Sequence, residues 1–427
     1  MPPRFQATLA IRHALVATCD RGPSDAGLVQ DAAVAVDDRL VGWVGPDAGI
    51  EEAADLTEAR QVDARGRLVT PGLVDAHTHL LFGDRGERER EFAARAAGKS
   101  TLDAARSGGG IAATVAATRA AEPGSLLAQA TARARRLLAH GVTTVEVKTG
   151  YGLSVDAEIG HLRLLDELAR ALWTEMTVYP TLLAAHAVPP ERTADREGWV
   201  QAICEEIVPQ AAKERLAAFC DAYAEEGAFT IGEARRVLEA GRREGLVPRL
   251  HADQLSPLGG ARLAAEMECA SADHLEHVDE AGIAALARAG VVACLLPTST
   301  LFAGQDRYAP GRRLLDAGVP VALGTNVNPG TAMSENASLT LSLAVLKLGL
   351  TPAEALAAFT AGGARALRDS DVGRVARGAE ADLVLWGCRS VEHLAWHMGV
   401  SHALLVVKRG RIVHTAEAWA AADCAAV

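Results

Sequence analysis

The sequence of 427 residues has few aromatic residues, no paired cysteine motif and no long apolar run. Its seven cysteines are scattered and none stands in a C-x-x-C pair, which is typical of reduced, mostly buried thiols in a cytoplasm. The apolar stretch 338–350 is interrupted by Lys347 and is far shorter than the roughly 20 apolar residues of a membrane span. Arg12 and His13 break the apolar part of the N-terminal stretch, so no export signal is visible. We therefore expect a soluble, cytoplasmic protein.

Blocks of basic residues are also absent. The chain has 43 Lys and Arg residues against 54 Asp and Glu residues, a formal net charge of −11 at pH 7. A nucleic-acid-binding surface needs a stripe of basic side chains, so we expect no nucleic-acid partner. The 49% of hydrophobic residues is instead typical of a globular protein with ample core material. At this length we expect two or three domains, or one barrel of about 250 residues with an appended module.

The middle of the chain alternates Ala-rich helical stretches with short apolar runs. The helical stretches include 128–141, 233–245 and 280–290, and the apolar runs are 142–147, 176–183, 247–252, 291–297 and 319–324. A helix that ends in Gly and is followed by a β-branched run, repeated several times, is typical of a parallel barrel. The pattern predicts a (β/α)8 TIM barrel, an α/β fold.

The two ends of the chain have a different pattern, with short β-type runs and Gly turns. Residues 32–45 are two apolar runs joined by a polar turn, which predicts a β-hairpin. Residues 373–387 and 404–414 have similar runs. Because each end is too short to form a separate core, we expect the ends to meet as one small β-sandwich. The predicted division is 1–68 and 371–427 for the sandwich and 69–370 for the barrel.

Histidines follow several of the predicted strands. In such barrels the chemistry lies at the C-terminal ends of the strands. His77 and His79 are one residue apart, so on an extended strand both side chains point to the same face and can share a metal ion. His186, His251 and His274 each stand at the end of another predicted strand. Five histidines at one end of a barrel predict an active site. The histidines after residue 390 have no such position, and we interpret them as surface or packing residues.

Several stretches resemble a known family. PGLVDAHTHL, which contains the H-x-H pair, together with the later strand-end histidines resembles the metal-dependent amidohydrolase superfamily, whose fold is a TIM barrel with a flanking β-sandwich. Six further stretches are similar to the imidazolonepropionase family: GGGI (108–111), EVKTGYGL (146–153), AHAVP (185–189), HADQLS (251–256), SADHLEH (271–277) and NPGT (328–331). The resemblance implies hydrolysis that opens the ring of 4-imidazolone-5-propanoate to N-formimidoyl-L-glutamate in histidine degradation.

The resemblance also implies one bound Zn²⁺ or iron ion. His77, His79 and His251 would bind it. Asn326 stands where the family has an Asp that both touches the metal and handles a proton. His274 would stand beside the attacking water as a base or an orienting group. An amide cannot accept that proton, so the resemblance implies a slow enzyme.

Substrate-binding residues are implied by the same motifs. His186 would bind or polarise the substrate carbonyl. The remaining substrate-binding positions are Tyr151, Gln254, Asn328, Gly330 and Thr331. The partners implied are a small-molecule substrate and a second copy of the chain in a homodimer.

Two positions keep alternatives open. The resemblance implies an Arg soon after the H-x-H pair that binds the propionate carboxylate, but the stretch 82–92 differs in length from the family's loop. Arg85 and Arg88 both qualify, and the spacing from the histidines favours Arg85. Glu146 and Lys148 share one strand face and are expected to pair with each other. The alternative is a carbamylated Lys148 that bridges two metal ions.

Two other functions remain open at this point. One is a related deaminase or cyclic amidohydrolase that acts on another small heterocycle, in which the Arg and Tyr151 would have no role. The other is a catalytically disabled variant that only binds substrate, which Asn326 suggests. Metal content and a turnover assay separate these functions.

Overall fold

The computed structural model describes residues 4–22, 25–97, 109–417 and 419, so the motif at 108–111 begins outside the described residues. The strands are β1 Phe5–Gln6, β2 Leu9–Ala17, β3 Leu28–Asp37, β4 Leu40–Pro46, β5 Ala54–Asp55, β6 Arg60–Asp63, β7 Leu68–Pro71, β8 Leu73–Asp75, β9 Val142–Lys148, β10 Thr177–Ala185, β11 Phe219–Ala224, β12 Val247–Ala252, β13 Ser271–His274, β14 Val292–Leu295, β15 Val321–Leu323, β16 Leu383–Trp386, β17 Ala403–Lys408 and β18 Arg411–Thr415.

Helices connect most of the barrel strands. The α-helices are Ile50–Ala53, Glu87–Ala96, Ile111–Arg119, Pro123–Leu138, Val155–Ala171, Arg196–Ala202, Val208–Lys213, Ile231–Arg243, Gly260–Glu266, Glu280–Ala289, Pro297–Phe302, Gly311–Asp316, Ala337–Leu348, Pro352–Ala357, Gly363–Ala366 and Val391–Trp396. Short 3₁₀ segments are Asp47–Gly49 and Pro190–Arg192, and π-helical turns are Ile203–Ile207 and Ala358–Gly362. Within the described part of the chain, no helix combines the length and the apolar character that crossing a membrane requires.

Eight parallel strands, β8 to β15, lie side by side in chain order. The backbone N–H of Asn326 donates to the carbonyl oxygen of His77 (3.0 Å), and residues 78 and 326 form a parallel bridge. The segments that follow the first and last strands therefore meet, and the sheet closes. The predicted TIM barrel is confirmed, and each of the five apolar runs overlaps one of its strands.

One barrel strand, β11, was not predicted from the sequence. Its sequence, FCDAYA, includes an aspartate and two alanines and lacks the β-branched run that marks the other strands. The strand nevertheless pairs with β10 and β12 along its length. Asp221 and Tyr223 on this strand were therefore not predicted as residues of the barrel interior.

Strands from both chain ends form a second sheet in the order β18-β17-β16-β7-β2-β3-β4, with β6 paired to β2. The hairpin predicted at 32–45 is confirmed, because β3 and β4 pair antiparallel around a turn at Asp38, whose φ is 53°. Val34, Leu383 and Leu405 come from separate strands of this sheet and share one apolar core. The sheet thus encloses its own core as a small sandwich, and β7 extends to Pro71, past the predicted boundary at residue 68.

Candidate active site

The structure brings together the five strand-end histidines. His77 and His79 follow β8, His186 follows β10, and His251 and His274 lie on β12 and β13. The ring centroids of His77 and His251 are 4.6 Å apart, those of His79 and His186 are 5.1 Å apart, and those of His251 and His274 are 5.4 Å apart. All five side chains are buried at the C-terminal end of the barrel.

Three of these histidines can hold a metal ion. One ring nitrogen each of His77, His79 and His251 lies within 4.8 Å of the other two. The Nε2 atoms of His77 and His79 face each other at 3.3 Å. Because His77 Nδ1 donates to Asp273 Oδ2 (2.6 Å), the free lone pair of His77 is at Nε2, toward His79. The three imidazoles are therefore arranged as ligands of a shared cation.

Unsatisfied polar atoms support this fit. Among the residues that the structure describes, His79 Nδ1, His251 Nε2 and Asn326 Oδ1 are buried without a hydrogen-bond partner. A buried polar atom without a partner costs about 1–3 kcal/mol, so several at one place call for a ligand. The residues present suit one metal ion with the Asn326 oxygen available beside the imidazoles.

Burial sets the protonation state of these histidines. It lowers the pKa of His77, His79 and His251 below the ordinary range of histidine. Positive charge from Lys148 and from neighbouring histidines acts in the same direction. The imidazoles are neutral at neutral pH, and the neutral ring is the form that binds a metal.

Two carboxylates behind the imidazoles orient them. Asp273 accepts from His77 Nδ1, and Asp221 Oδ2 lies 3.1 Å from His251 Nδ1. A carboxylate in this position fixes the orientation of a metal-binding histidine and raises its basicity. Neither aspartate was predicted to be a site residue. Asp273 lies one residue before His274 in the SADH stretch, and this position next to a predicted site histidine could have indicated it.

Lys148 connects the two aspartates. Its Nζ donates to Glu146 Oε1 and Asp221 Oδ2, both at 2.8 Å, and lies 3.5 Å from Asp273 Oδ2. The expected pairing of Glu146 with Lys148 is therefore present. Burial alone would lower the pKa of Lys148, but the surrounding carboxylates outweigh it and raise the pKa. Carbamylation needs a neutral amine, so this environment disfavours the metal-bridging alternative.

Arg249 completes the charged interior of the barrel. Its Nη2 donates to the Ala76 carbonyl oxygen (2.7 Å) and to Asp273 Oδ2 (3.1 Å). Burial opposes ionisation of Asp273, but the positive charges of Arg249 and Lys148 hold its pKa well below the ordinary range. Asp273 thus faces His77 as a carboxylate.

Asn326 lies at the end of the last strand in a sharply turned backbone. Its φ is 69°, a left-handed conformation that Asn tolerates better than most residues. Its side-chain N–H donates to Thr331 Oγ1 (3.1 Å), which leaves the amide oxygen free. The backbones of Asn328 and Ala332 bond to each other in a tight turn that carries Gly330 and Thr331 beside the histidines.

Arg88, rather than Arg85, points toward this turn. Arg88 is half-buried and pairs with Glu91 (2.8 Å), whereas Arg85 is exposed. A Cβ atom on Gly330 would clash with Arg88 Nη2, so the glycine leaves the space that the guanidinium occupies. The helix Glu87–Ala96 begins after Gly86 and places residues 88 and 91 on its inner face. This helix position, which the spacing from the histidines does not reveal, favours Arg88 over the predicted Arg85.

Tyr151 and His186 lie next to each other beside His79. Their rings are 5.2 Å apart, and Tyr151 also lies 6.0 Å from His79. Burial raises the pKa of the Tyr151 phenol, which therefore remains a protonated hydrogen-bond donor. His186 Nδ1 lies 3.0 Å from the Gly150 carbonyl oxygen and must donate to it. Gln254 is half-buried in the loop after β12.

One further aromatic residue reaches the site. Tyr223 lies on β11 with its ring centroid 5.6 Å from His251 and 6.2 Å from His186. It stands two residues after Asp221, so both side chains point to the interior of the barrel. The spacing of two residues between Asp221 and Tyr223 could have indicated that both face the barrel interior. It was missed because the strand itself was not predicted.

Comparisons with known proteins agree with this arrangement. A family model described as the amidohydrolase family matches residues 68–413. An imidazolonepropionase from Anaeromyxobacter sp. (strain K) is 64% identical over 421 residues, which cover 99% of each chain. An imidazolonepropionase from Myxococcus xanthus (strain DK1622) is 52% identical over 381 residues, which cover 89% of this chain and 90% of the relative.

Solved structures show the same fold at low sequence identity. A 5-methylcytosine deaminase from Klebsiella pneumoniae superposes with a TM-score of 0.74 at 16% identity and covers 96% of this chain and 98% of its own. An adenosine deaminase from Xanthomonas campestris with bound zinc superposes with a TM-score of 0.69 at 20% identity. The match covers 100% of this chain and 98% of the deaminase chain. The fold is thus shared with deaminases, whereas the sequence is similar to imidazolonepropionases over its whole length. This chain belongs to the imidazolonepropionase family of metal-dependent amidohydrolases.

Proposed function

We propose that this chain hydrolyses 4-imidazolone-5-propanoate, with one water, to N-formimidoyl-L-glutamate. One observation carries the proposal: the histidine triad and the Arg88 guanidinium lie on either side of one turn. On one side of the turn, Thr331 accepts a hydrogen bond from the side chain of Asn326. On the other side, Gly330 lies against the guanidinium of Arg88. A carboxylate held by Arg88 would leave the heterocyclic end of the substrate toward the histidines. The sequence similarity to enzymes named imidazolonepropionase agrees with this arrangement.

His77, His79 and His251 would hold one Zn²⁺ or iron ion, with the Asn326 oxygen beside it. When bound, such an ion lowers the pKa of a water molecule toward about 7 and polarises a carbonyl group. Asp273 and Asp221 keep the imidazoles of His77 and His251 oriented for this task.

For His186 we propose a role other than the predicted one of binding or polarising the substrate carbonyl. Its Nδ1–H is used by the Gly150 carbonyl oxygen. Burial lowers the pKa of His186 to about 3, and the nearby His251 acts in the same direction. The His186 ring is therefore neutral. A neutral ring that donates from Nδ1 has only a lone pair at Nε2. We therefore assign His186 to accept a hydrogen bond from a ring N–H of the substrate.

Two side chains are candidates for contact with the attacking water, and one of them can take its proton. Asn326 stands in the expected position but cannot take a proton. His274 Nδ1 lies 3.7 Å from Glu276 Oε1, both side chains are buried, and the His274 ring centroid is 5.4 Å from that of His251. We assign His274, supported by Glu276, as the proton acceptor in this sequence, and a slow one because no carboxylate occupies position 326.

The reaction distinguishes the proposed function from deamination. Purified protein incubated with 4-imidazolone-5-propanoate should form N-formimidoyl-L-glutamate without releasing ammonia. Mass spectrometry of the product and an ammonia assay measure both quantities. Stoichiometric ammonia would indicate a deaminase, and bound but unconverted substrate would indicate the disabled variant.

Substitution of Arg88 tests how the propionate is recognised. Arg88→Ala should lower kcat/KM by about 30- to 1000-fold, mainly by raising KM, because loss of a charge-assisted pair costs about 2–4 kcal/mol. Arg85→Ala is the matched control and should change kcat/KM little, since Arg85 is exposed. A larger loss in Arg85→Ala than in Arg88→Ala would refute the assignment. Thermal unfolding of both variants shows whether either has lost its fold.

Removal of one imidazole tests the metal assignment. Protein dialysed against metal-free buffer should retain about one equivalent of zinc or iron, and His251→Ala should retain far less, because a three-imidazole site is reduced to two. Elemental analysis measures the metal content. His13→Asn is the control, because His13 is exposed. Full activity in a metal-free protein would overturn the assignment.

We also propose a cytoplasmic location and a homodimer. The six cysteines that the structure describes are all free, which agrees with a reducing compartment. The exposed apolar side chains of Leu346 and Trp396 offer surface that a second copy could cover. Sedimentation velocity measures the mass of the assembly.

A further inference from the structure

A second group of histidines lies outside the candidate active site. His393 is on the helix Val391–Trp396, His397 follows the end of that helix, and His402 precedes β17. The ring centroids are 5.6 Å apart for His393 and His397, 5.0 Å for His393 and His402, and 4.7 Å for His397 and His402. The proposed reaction does not use these imidazoles.

The spacing of their nitrogens is close to that of a chelate. One ring nitrogen from each histidine lies within 4.8 Å of the other two. A tetrahedral ion with bonds of about 2.0–2.1 Å holds its nitrogen ligands about 3.4 Å apart. Because His397 is exposed and the other two histidines are half-buried, small rotations of the side chains can bring the three nitrogens to the separation that the ion requires.

The backbone between the histidines is held in place from both sides. Gly399 has a φ of 80° and lets the chain turn back toward β17. Its carbonyl oxygen accepts from Asn336 Nδ2 (3.0 Å), and Ser401 Oγ donates to the Ala139 carbonyl oxygen (2.7 Å). The ligands are therefore presented by an ordered connection, so that little backbone entropy is lost when they converge.

The hydrogen bonding of His402 leaves it a free lone pair. Its Nε2 lies 3.1 Å from the His397 carbonyl oxygen and donates to it. Nδ1 is then the unprotonated nitrogen and can bind a cation. A backbone carbonyl that fixes the tautomer in this way is a common partner of metal-binding histidines.

We propose that His393, His397 and His402 bind one borderline transition-metal cation per chain, of the Zn²⁺ or Ni²⁺ class, at a site separate from the barrel. A donor set of three imidazoles suits these cations, whereas Mg²⁺ and Ca²⁺ prefer oxygen ligands. All three ligands belong to one chain, so the site needs no partner. The bound ion ties the end of the helix Val391–Trp396 to the start of β17.

Calorimetric titration of the holoenzyme with Zn²⁺ tests this proposal, because the barrel site is already filled. We expect one additional ion per chain. Loss of a group that only hydrogen-bonds to a metal ligand lowers metal affinity by about 10–100-fold. His397→Asn removes a ligand itself, so it should weaken Zn²⁺ binding by more than about tenfold. His13→Asn is the matched control, because His13 is exposed elsewhere and Asn tolerates its positive φ.

Three outcomes would overturn the proposal. They are the absence of an additional ion in the unmodified holoenzyme, equal affinity in His397→Asn and His13→Asn, and a stoichiometry of half an ion per chain, which would place the ion between two copies. Circular dichroism of both variants confirms that each is folded. The titration does not depend on turnover, so it is independent of the proposed reaction.

Discussion

Asn326→Asp should raise the turnover number by about 10²–10⁴-fold, the range that a positioned general base contributes. Asn326 lies beside the triad with its amide oxygen unpartnered among the described residues, so a carboxylate could occupy the same place. Unlike the amide, the carboxylate can take the proton of the attacking water and pass it to the leaving ring nitrogen. Steady-state rates per bound metal ion measure the change, since the new charge also strengthens metal binding.

Asn328→Asp is the matched control for this variant. It adds the same charge in the turn that follows, where Asn328 Oδ1 accepts from the Gly330 N–H (2.9 Å) rather than facing the triad. We expect no acceleration from it. Equal rates for Asn326→Asp and the unmodified chain would show that His274 and Glu276 already move the proton at full efficiency.

The histidines of the site were predictable because their signal is local. A strand followed by a histidine can be read from a few residues, and the parallel barrel places all such strand ends together. Arg88 was not predictable in this way. Its direction depends on where the helix Glu87–Ala96 begins, and a shift of that start by one residue turns every side chain by about 100°.

The charged interior of the barrel was harder still to predict. Lys148, Asp221, Arg249 and Asp273 come from four strands of the barrel, β9, β11, β12 and β13, and each contradicts the apolar pattern by which strands were recognised. Only the closed sheet makes their charges compensate each other. Glu146 and Lys148, two residues apart on one strand, were the exception, because that pair is visible along the chain.

Lys148→Met should lower the free energy of unfolding by about 3–5 kcal/mol, the cost of removing one partner from a buried ion pair. Lys148 is fully buried, and its loss leaves the carboxylates of Glu146, Asp221 and Asp273 facing one another with Arg249 as the remaining cation. Denaturant unfolding measures the change. The exposed Lys213→Met is the matched control, and we expect it to stay within about 0.5 kcal/mol.

A second substitution separates electrostatic from packing effects. If uncompensated negative charge is the cause, adding Asp221→Asn to Lys148→Met should recover part of the lost stability, because one of the unpaired carboxylates becomes neutral. Asp221→Asn alone should destabilise, since it leaves Lys148 with one close carboxylate fewer. Additive losses in the double variant would instead mean that Lys148 acts mainly by filling space, and the barrel interior would then not be held by its charges.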